Sequence, residues 1–332
     1  MPLDPQERDR LITEYAAGPD RLAPVLEGMP PDGCRWRPAP GEWSLDEVLC
    51  HLADAEAVDY TRIRFIAAEP KPVLRAWSQE RWAAALDYGS QPGASALAVI
   101  RAVRALTAGL LRQLPHDVWE RAGEHSEVGP YTGERWLRHG VDHLEDHRAQ
   151  LSRTAAGWWA AGAPAVPARP GATGAGGARA ALIARYAEGG ARLRRAWEAV
   201  PPEARRWRPA PGEWSPHEVV CHTADSETNA YARIRYLLAE AEPVLEGYDQ
   251  EQWARAFDYH ALSAEAALAT TEAVRAHTAA LIRSRDDAAW ARAGRHTEMG
   301  PYTAETWLGL YSAHLHDHAD QIDRAVAAWR AR

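Results

Sequence analysis

The sequence predicts an all-α protein made of two tandem four-helix bundles arranged as a pseudo-dimer. Two observations support this prediction. One is a long internal repeat, and the other is a set of apolar residues that recur at helical spacing between capping and turn residues. We expect no β-sheet in either copy.

The internal repeat relates two copies, 171 positions apart and without a gap. Trp36-Arg-Pro-Ala-Pro-Gly-Glu-Trp-Ser44 returns as the identical stretch Trp207 to Ser215. A stretch rich in Gly, Ala and Pro separates the copies, which is typical of a flexible linker. The predicted organisation is a first bundle at residues 1–160, a linker at 161–178 and a second bundle at 179–332.

Four long helices are predicted in each copy, joined by short connections. In the first copy they run from residue 4 to about 28, from 44 to about 68, from about 95 to 114, and onward from 132, with a short helix at about 78–86. Ser44 followed by Glu47 forms a capping box that starts the second of them. The Pro- and Gly-rich stretch from Trp36 to Trp43 must be a loop, whose tryptophans we expect over the bundle end. Four-helix bundles commonly take metal ligands from facing helices.

Composition excludes several classes of partner. The formal net charge of the 332 residues is −8, with no basic stripe, so neither nucleic acid nor an anionic membrane surface is an expected partner. No apolar run approaches the roughly 18 to 20 residues of a spanning helix, and the first residues lack a secretory segment. Three cysteines are too few for a disulfide framework. We therefore expect a cytoplasmic protein.

Two histidine triads are the strongest candidate functional site. His143 and His147 lie four positions apart in the last predicted helix, so their imidazoles share one face. His51 lies in the second turn of the second helix. The second copy repeats all three as His222, His314 and His318. Three neutral imidazoles from two helices suit a divalent metal and leave coordination positions for water or substrate. The alternative is that the copies diverged too little to lose these histidines, and that His51 is an ordinary core residue.

Four other residues are candidate catalytic groups. Asp54 and Asp225 lie three positions after His51 and His222 on the same helix face, where they could orient a metal ligand or a water. An ordinary aspartate on an exposed helix is the alternative. His125 and His296 are placed in a loop near the bundle mouth, either as substrate contacts or as packing histidines bonded to a backbone carbonyl.

Other polar residues near these positions have ordinary interpretations. The matched arginines could receive an anionic group, but solvated helix charges are the default; they are Arg62, Arg64, Arg233 and Arg235. Cys50 and Cys221 precede the triad histidines by one position, which turns them about 100° away, so packing is expected. His139 has Leu310 as its counterpart, and we expect no ligand role for it.

The chain resembles a known family along nearly the whole length of both copies. The motifs are Gly-Glu-Trp-Ser, then Glu-Val-Leu-Cys-His51-Leu-Ala-Asp, and finally His143-xxx-His147-xx-Gln-Leu. Together they resemble the DinB-like superfamily, also described as DinB/YfiT-like metalloenzymes. The resemblance implies a four-helix bundle with a divalent metal held by one histidine of the second helix and two of the last. The positions that match are His51, His143 and His147, and again His222, His314 and His318.

The resemblance also implies a range of activities and an assembly. Some members are S-transferases that use a low-molecular-weight thiol such as bacillithiol or mycothiol, while others isomerise or hydrolyse. Members often form homodimers, whereas this chain joins two copies covalently. We therefore expect an intramolecular pseudo-dimer that is a monomer in solution.

The leading hypothesis is a metal-dependent transferase that acts on a small-molecule substrate with a low-molecular-weight thiol. It would hold one divalent metal in each half, with zinc as the first choice and nickel, manganese or iron as alternatives. A metal-dependent hydrolase is the nearest rival. A non-catalytic metal- or ligand-binding stress protein is the alternative from a different class, and it predicts closed coordination or a pocket too small for a substrate.

Overall fold

Side-chain caps start the long helices where the sequence predicts them. In the computed structural model, which describes residues 3–167 and 177–332, Asp4 accepts a hydrogen bond from the backbone of Gln6. Ser44 and Glu47 form the capping box, in which the backbone N–H of Ser44 donates to Glu47 Oε2 at 2.9 Å. Thr132 caps the last helix of the first copy. These bonds satisfy N-terminal amide groups that have no partner within a helix.

The chain divides into two units, Met1–Gly171 and Ala172–Arg332. The helices of the first unit are α1 (Pro5–Leu26), α2 (Pro31–Arg35), α3 (Leu45–Ala68), α4 (Gln79–Ala85), α5 (Gly93–Leu111) and α6 (Gly133–Ala160), with 3-10 turns at Tyr88–Ser90 and His116–Trp119. Its strands are β1 (Val73–Leu74), β2 (Ala122–His125) and β3 (Gly129–Thr132). Of the predicted linker, residues 168–176 lie outside the described residues. The linker limits and the pseudo-dimer stay predictions.

The second unit repeats this order. Its helices are α7 (Gly177–Glu198), α8 (Pro216–Ala239), α9 (Gln250–Ala256), α10 (Ala264–Arg283), α11 (Asp287–Trp290) and α12 (Ala304–Arg330), with 3-10 turns at Pro202–Ala204 and Tyr259–Ala261. Its strands are β4 (Val244–Leu245), β5 (Ala293–His296) and β6 (Gly300–Thr303).

Each unit is the four-helix bundle that the sequence predicts. In the first unit, α1 and α3 each pack against both α5 and α6, and in the second unit α7 and α8 each pack against both α10 and α12. A buried ion pair crosses each core: Arg104 Nε donates to Glu56 Oε1 at 2.8 Å, and Arg275 Nε donates to Glu227 Oε2 at 2.8 Å. Because burying a charge is costly unless it is paired, the four groups hold their helices in register.

The expectation that neither copy contains a sheet is wrong. In each unit a small three-stranded sheet pairs the first strand with the second in parallel and the second with the third in antiparallel fashion. The strands are two to four residues long, too short for an alternating pattern to stand out, and they include Gly123 and Pro130, which are rare in strands. The third strand leads directly into α6, so the sheet lies at the start of a histidine-bearing helix.

One of the described helices, α5, is long and apolar enough to span a membrane by length and composition alone. Just over half of its apolar window, 56%, is buried inside the protein. It contains Arg104, which is fully buried against Glu56. Its packing against α1 and α3 is that of a bundle core helix.

Candidate metal centres

The structure brings each predicted triad together. His51 on α3 meets His143 and His147 on α6, and in each triad one nitrogen per ring lies within 4.8 Å of the other two. The second triad joins α8 to α12 in the same way, through His222, His314 and His318. Ring centroids within the triads are 4.6 to 5.8 Å apart. The alternative that His51 is an ordinary core residue does not fit, because its ring faces those of His143 and His147.

The donor geometry fits a small divalent ion. The Nε2 atoms of His51 and His143 are 3.2 Å apart. Two nitrogens that bind one zinc ion tetrahedrally, at about 2.0 to 2.1 Å each, lie roughly 3.3 Å from one another. Each triad consists of three histidines and includes no carboxylate. Such a set of nitrogen donors suits zinc, nickel or iron better than calcium or magnesium.

Burial favours the neutral form of five triad imidazoles at physiological pH: those of His51, His143, His147, His222 and His318. Desolvation lowers the pKa of His51 to about 3 and that of His143 to about 2, with smaller contributions from the neighbouring imidazoles. Burial also lowers the pKa of His147. In the second triad it lowers the pKa of His222 well below its usual range and that of His318 to about 4. Neutral imidazole is the form that binds a metal, so these rings need no deprotonation at pH 7.

The Trp36–Trp43 loop covers one side of the first triad. Arg37 Nε donates to Glu47 Oε2 at 2.8 Å, which ties the loop to the capping box of α3. Gly41 takes a φ of +87°, a left-handed conformation that glycine adopts without strain. The chain then returns so that the Trp43 ring packs against His51 in a tilted arrangement, with ring centroids 5.2 Å apart. The second copy repeats the tie as Arg208 to Glu218 and the contact as Trp214 to His222, at 4.7 Å.

Hydrogen bonds to the outer ring nitrogens orient several of the ligands. His147 Nδ1 lies 2.8 Å from Gln150 Oε1, and His318 Nδ1 lies 2.9 Å from Gln321 Oε1. His314 Nδ1 lies 2.8 Å from Glu227 Oε1. Each of these bonds makes Nδ1 the protonated nitrogen and leaves Nε2 free to bind a metal.

An open cavity reaches one histidine of each triad. The first has a volume of about 260 Å³ and is lined by Trp43, Glu42 and Glu80 together with His147 and Gln150. The second has a volume of about 320 Å³ and is lined by the corresponding residues, including Trp214, His318 and Gln321. A small molecule can therefore approach the triads from the side on which the tryptophan loop lies.

Asp54 and Asp225 are buried, which rules out the interpretation of an exposed helical aspartate. Asp54 Oδ2 accepts a hydrogen bond from the Tyr88 hydroxyl at 2.6 Å, and Asp225 Oδ2 accepts one from Tyr259 at the same distance. The Tyr88 ring in turn packs on Trp43, at 6.4 Å between centroids. The carboxylates thus anchor the wall beside the first ligand. Their catalytic role stays a prediction.

His125 and His296 lie in strands β2 and β5, not in loops. His125 Nε2 is 3.2 Å from Arg62 Nη2, and its Nδ1 accepts from the backbone of Glu127. Burial and then Arg62 lower the pKa of His125, and burial and then Arg233 lower that of His296 to about 4. Both therefore lie beside an arginine of the second helix. A substrate contact by either one stays a prediction.

The default interpretation of the second-helix arginines as solvated charges is wrong for Arg64 and Arg235. Both are fully buried, and their guanidinium carbons lie 3.3 and 3.2 Å from the ring centroids of Tyr60 and Tyr231. The Arg62 side chain is 11% exposed and pairs with Asp59. Cys50 and Cys221 are buried, as packing cysteines are. His139 is exposed and stacks on His143 without joining the triad.

The residues that hold the ligands in place could not be given that role from the sequence. Gln150 and Gln321 were visible as matched residues three positions after a triad histidine, a spacing that places both on one face. Glu227 was visible only as one of many matched acids. Its contact with His314 depends on how α8 packs against α12, and no local pattern encodes that packing.

Comparisons with known proteins agree with this site. Residues 14–151 and 185–322 each match the model of the DinB superfamily. A protein of Oceanobacillus iheyensis named "putative metal-dependent hydrolase" is 32% identical over 111 residues, which are 33% of this chain and 64% of that protein. YfiT of Bacillus subtilis, with the same name, is 32% identical over 112 residues, 33% of this chain and 63% of the relative. Each alignment thus spans less than two thirds of the relative.

A solved structure is also similar to part of the chain. It is described as YfiT from Bacillus subtilis, "a probable metal-dependent hydrolase with an unusual four-helix bundle topology". It is 27% identical, with a TM-score of 0.43, and the match covers 48% of this chain and 91% of that one. The two family matches cover most of the chain and bear the same offset as the internal repeat. The chain therefore belongs to the DinB superfamily and contains two tandem copies of its domain.

Proposed function

We propose that each half is a divalent-metal-dependent enzyme, and that its reaction transfers a low-molecular-weight thiol to a small electrophile. One observation carries the proposal: in both halves three imidazoles converge, and an open cavity reaches one of the three. Zinc is the first choice of metal, because the donors are three nitrogens. A structural zinc site would need a fourth protein ligand, so three ligands indicate a catalytic site.

The residues of the chain have separate parts in this proposal. The triads hold the ion, and Gln150 and Gln321 fix the tautomer of their neighbouring ligands. Trp43 and Trp214 exclude water from one side and offer an apolar wall to a substrate. A divalent ion bound here would lower the pKa of a thiol and hold it as the nucleophile.

Hydrolysis is the second candidate, favoured by the names of the relatives. A hydrolase needs a base placed at the attacking water. The nearest candidates of the second helix, Asp54 and Asp225, each accept a short bond from a tyrosine hydroxyl, which favours a structural role over proton abstraction. The non-catalytic alternative requires a closed site, and the cavities at His147 and His318 argue against it.

The test is turnover by protein produced without a histidine tag and loaded with zinc, nickel or manganese. Bacillithiol, mycothiol and glutathione would each be supplied with monobromobimane or chlorodinitrobenzene, and thiol consumption would be followed. A parallel panel of esters and amides without thiol tests hydrolysis. We expect thiol-dependent turnover that chelation abolishes and metal restores.

Matched variants separate the triads from nearby histidines. The double variant His147→Ala, His318→Ala should reduce turnover to the background rate, while His139→Ala should leave it unchanged, because His139 stacks on His143 outside the triad. Turnover of the ester or amide panel without thiol would replace the transferase proposal with the hydrolase. Metal binding with no turnover in either panel would support the non-catalytic alternative.

A further inference from the structure

The two metal centres have different side chains beside the same triad. Around the second centre lie three hydroxyl groups and a guanidinium, here called the hydroxyl–arginine cluster: Ser226, Tyr248, Tyr311 and Arg233. The equivalent positions of the first half are Ala55, Trp77, Gly140 and Arg62. Only the arginine is common to both.

The hydroxyl–arginine cluster begins at the metal-facing side of a ligand. Ser226 Oγ lies 3.3 Å from His314 Nε2 and is hydrogen-bonded to the Tyr248 hydroxyl. The Tyr311 ring packs on His314, with centroids 5.4 Å apart. Because Glu227 engages Nδ1 of His314, the Nε2 atom beside Ser226 is the one available to a metal. The Ser226 hydroxyl therefore lies on the metal-facing side of His314, and the Tyr248 hydroxyl adjoins Ser226.

Arg233 joins the far side of the cluster. Its Nη1 donates to the Tyr311 hydroxyl at 3.2 Å, and its Nη2 donates to the backbone carbonyl of Glu246 at 2.7 Å. The guanidinium carbon lies 6.0 Å from the Tyr248 ring centroid. The buried Nε–H of Arg233 has no partner among the described residues. Since arginine has five N–H donors, the group keeps unused donors beside two tyrosines.

The charge of the equivalent arginine is balanced in the first half only. Arg62 Nη1 pairs with Asp59 Oδ1 at 3.0 Å, and both side chains are largely buried. The position of Asp59 is taken by Ala230 in the second half. Within residues 177–332 no carboxylate forms an ion pair with Arg233. A half-buried guanidinium without a counter-ion is costly, and a carboxylate is the ligand that best satisfies its planar N–H groups.

We propose that the second centre binds a substrate with a carboxylate group, held by Arg233 and the hydroxyls of the cluster, while the first centre takes a substrate without one. This inference rests on the proposed function and names the class of substrate for one of its two sites. The tandem copies would then act on different molecules. The deciding position is 59 in the first half, where Asp59 pairs with Arg62, and 230 in the second, where Ala230 leaves Arg233 without that partner.

The test is carboxylate binding to one centre at a time, measured by calorimetry without turnover. His51→Ala, His143→Ala leaves only the second centre loaded with zinc, and His222→Ala, His314→Ala leaves only the first. The probes are acetate and benzoate, with acetamide and benzamide as uncharged controls. We expect the carboxylates to bind the second centre roughly tenfold or more tightly than the first, the difference expected for one charge-assisted hydrogen bond.

Reciprocal substitutions at one pair of positions provide the matched control. Ala230→Asp should place an acid beside Arg233, as in the first half, and abolish the preference while zinc still binds. Asp59→Ala should free Arg62 and raise carboxylate affinity at the first centre. Equal carboxylate affinity at the two centres, or no gain in affinity from Asp59→Ala, would overturn the proposal. If Ala230→Asp does not fold, the Asp59→Ala measurement decides.

Failure of this inference is distinguishable from failure of the proposed function. The function fails if the triads bind no metal or if the loaded protein has no turnover. The carboxylate site fails in the binding measurements alone, which need no reaction and can be repeated on metal-free protein, where Arg233 is unchanged.

Discussion

Glu227 is the residue at which the core ion pair and a candidate metal ligand, His314, meet. It accepts from both Arg275 and His314, and although burial raises its pKa, these two partners outweigh burial and lower the pKa overall. Its counterpart Glu56 accepts from Arg104 and from the Tyr15 hydroxyl, at 3.1 Å, and burial raises its pKa. The two centres thus differ in one hydrogen bond: Glu227 bonds to the ring of His314, whereas the partners of Glu56 are Arg104 and Tyr15.

We expect Glu227→Gln to weaken zinc binding at the second centre by about 10- to 100-fold, because a carboxylate on Nδ1 raises the basicity of an imidazole ligand. Glu56→Gln is the matched control: it breaks the same kind of arginine pair, but in the described structure Glu56 makes no contact with His143, so the first centre should keep its affinity. Zinc titrations with one triad disabled would measure both constants. An equal loss in the two variants would mean that the core ion pair, and not the His314 contact, sets affinity.

His277 adds a source of acid sensitivity to the second half at a position where the first half has no titratable side chain. It is fully buried on α10, and burial, followed by Arg235, lowers its pKa well below the ordinary value of a histidine. The unfolded chain therefore binds a proton that the folded chain does not, so this contribution to stability is full above pH 6.5 and is lost as the pH falls below it. The first half has Leu106 at this position.

We expect His277→Leu to reduce the loss of stability on acidification. Between pH 7.5 and 5.5 the variant should lose about 1.4 kcal/mol less unfolding free energy than the wild type, the amount that one histidine with an unfolded pKa near 6.5 contributes. Hydrogen exchange of α10 amides at the two pH values would measure it for the second half specifically. The same loss in both proteins would show that His277 is protonated in the folded state.

At the scale of elements, the sequence predicts the helices well because their ends are chemically local. The capping box of Ser44 and Glu47 lies within four residues, and the predicted helix from 44 to about 68 agrees with α3. The third long helix begins at Gly93 and ends at Leu111, within a few residues of the expectation. Caps and apolar spacing need no knowledge of the rest of the chain.

The strands could not be predicted for the opposite reason. Val73 and Leu74 pair with Glu124 and His125, about fifty residues further along the chain. Strand β1 has only two residues, and its hydrogen-bonding partners come from β2, on the far side of α5 in the sequence. Contacts of this kind are set by tertiary packing, which overrides weak local propensity.

The candidate site likewise contains local features, which the sequence predicts, and contacts between distant segments, which it does not. The histidine pairs four apart and the Gln three positions later are local, and the duplication made the third histidine visible. The contact of Trp214 with His222, the contact of Glu227 with His314 and the hydroxyl–arginine cluster each join elements that are distant in sequence. The sequence therefore predicts the ligands, whereas the surroundings that distinguish the two centres require the structure.

At the scale of the whole molecule, both copies keep the candidate metal ligands and differ in some of the residues around them. Both copies retain three histidines, the ligand-orienting Gln and the core Arg–Glu pair. Among the many positions that differ, Ala55/Ser226 and Gly140/Tyr311 lie beside the triad, and Asp59/Ala230 lies one helical turn before the matched arginine. Such a pattern is what two metal sites with separate specificities need, because specificity is set by the pocket and not by the ion.

The last prediction concerns the number of ions per chain. We expect two divalent ions per chain, and one ion in each double variant that removes a triad, either His51→Ala, His143→Ala or His222→Ala, His314→Ala. Because each triad joins two helices of its own unit, zinc should raise the melting temperature of the transition of the intact half only. Elemental analysis and calorimetry of protein without a histidine tag would measure both quantities, with His139→Ala as the control that keeps two ions. A single ion in the wild-type chain would mean that one triad is a remnant of the duplication, and loss of both ions on removal of one triad would mean that the two sites are coupled.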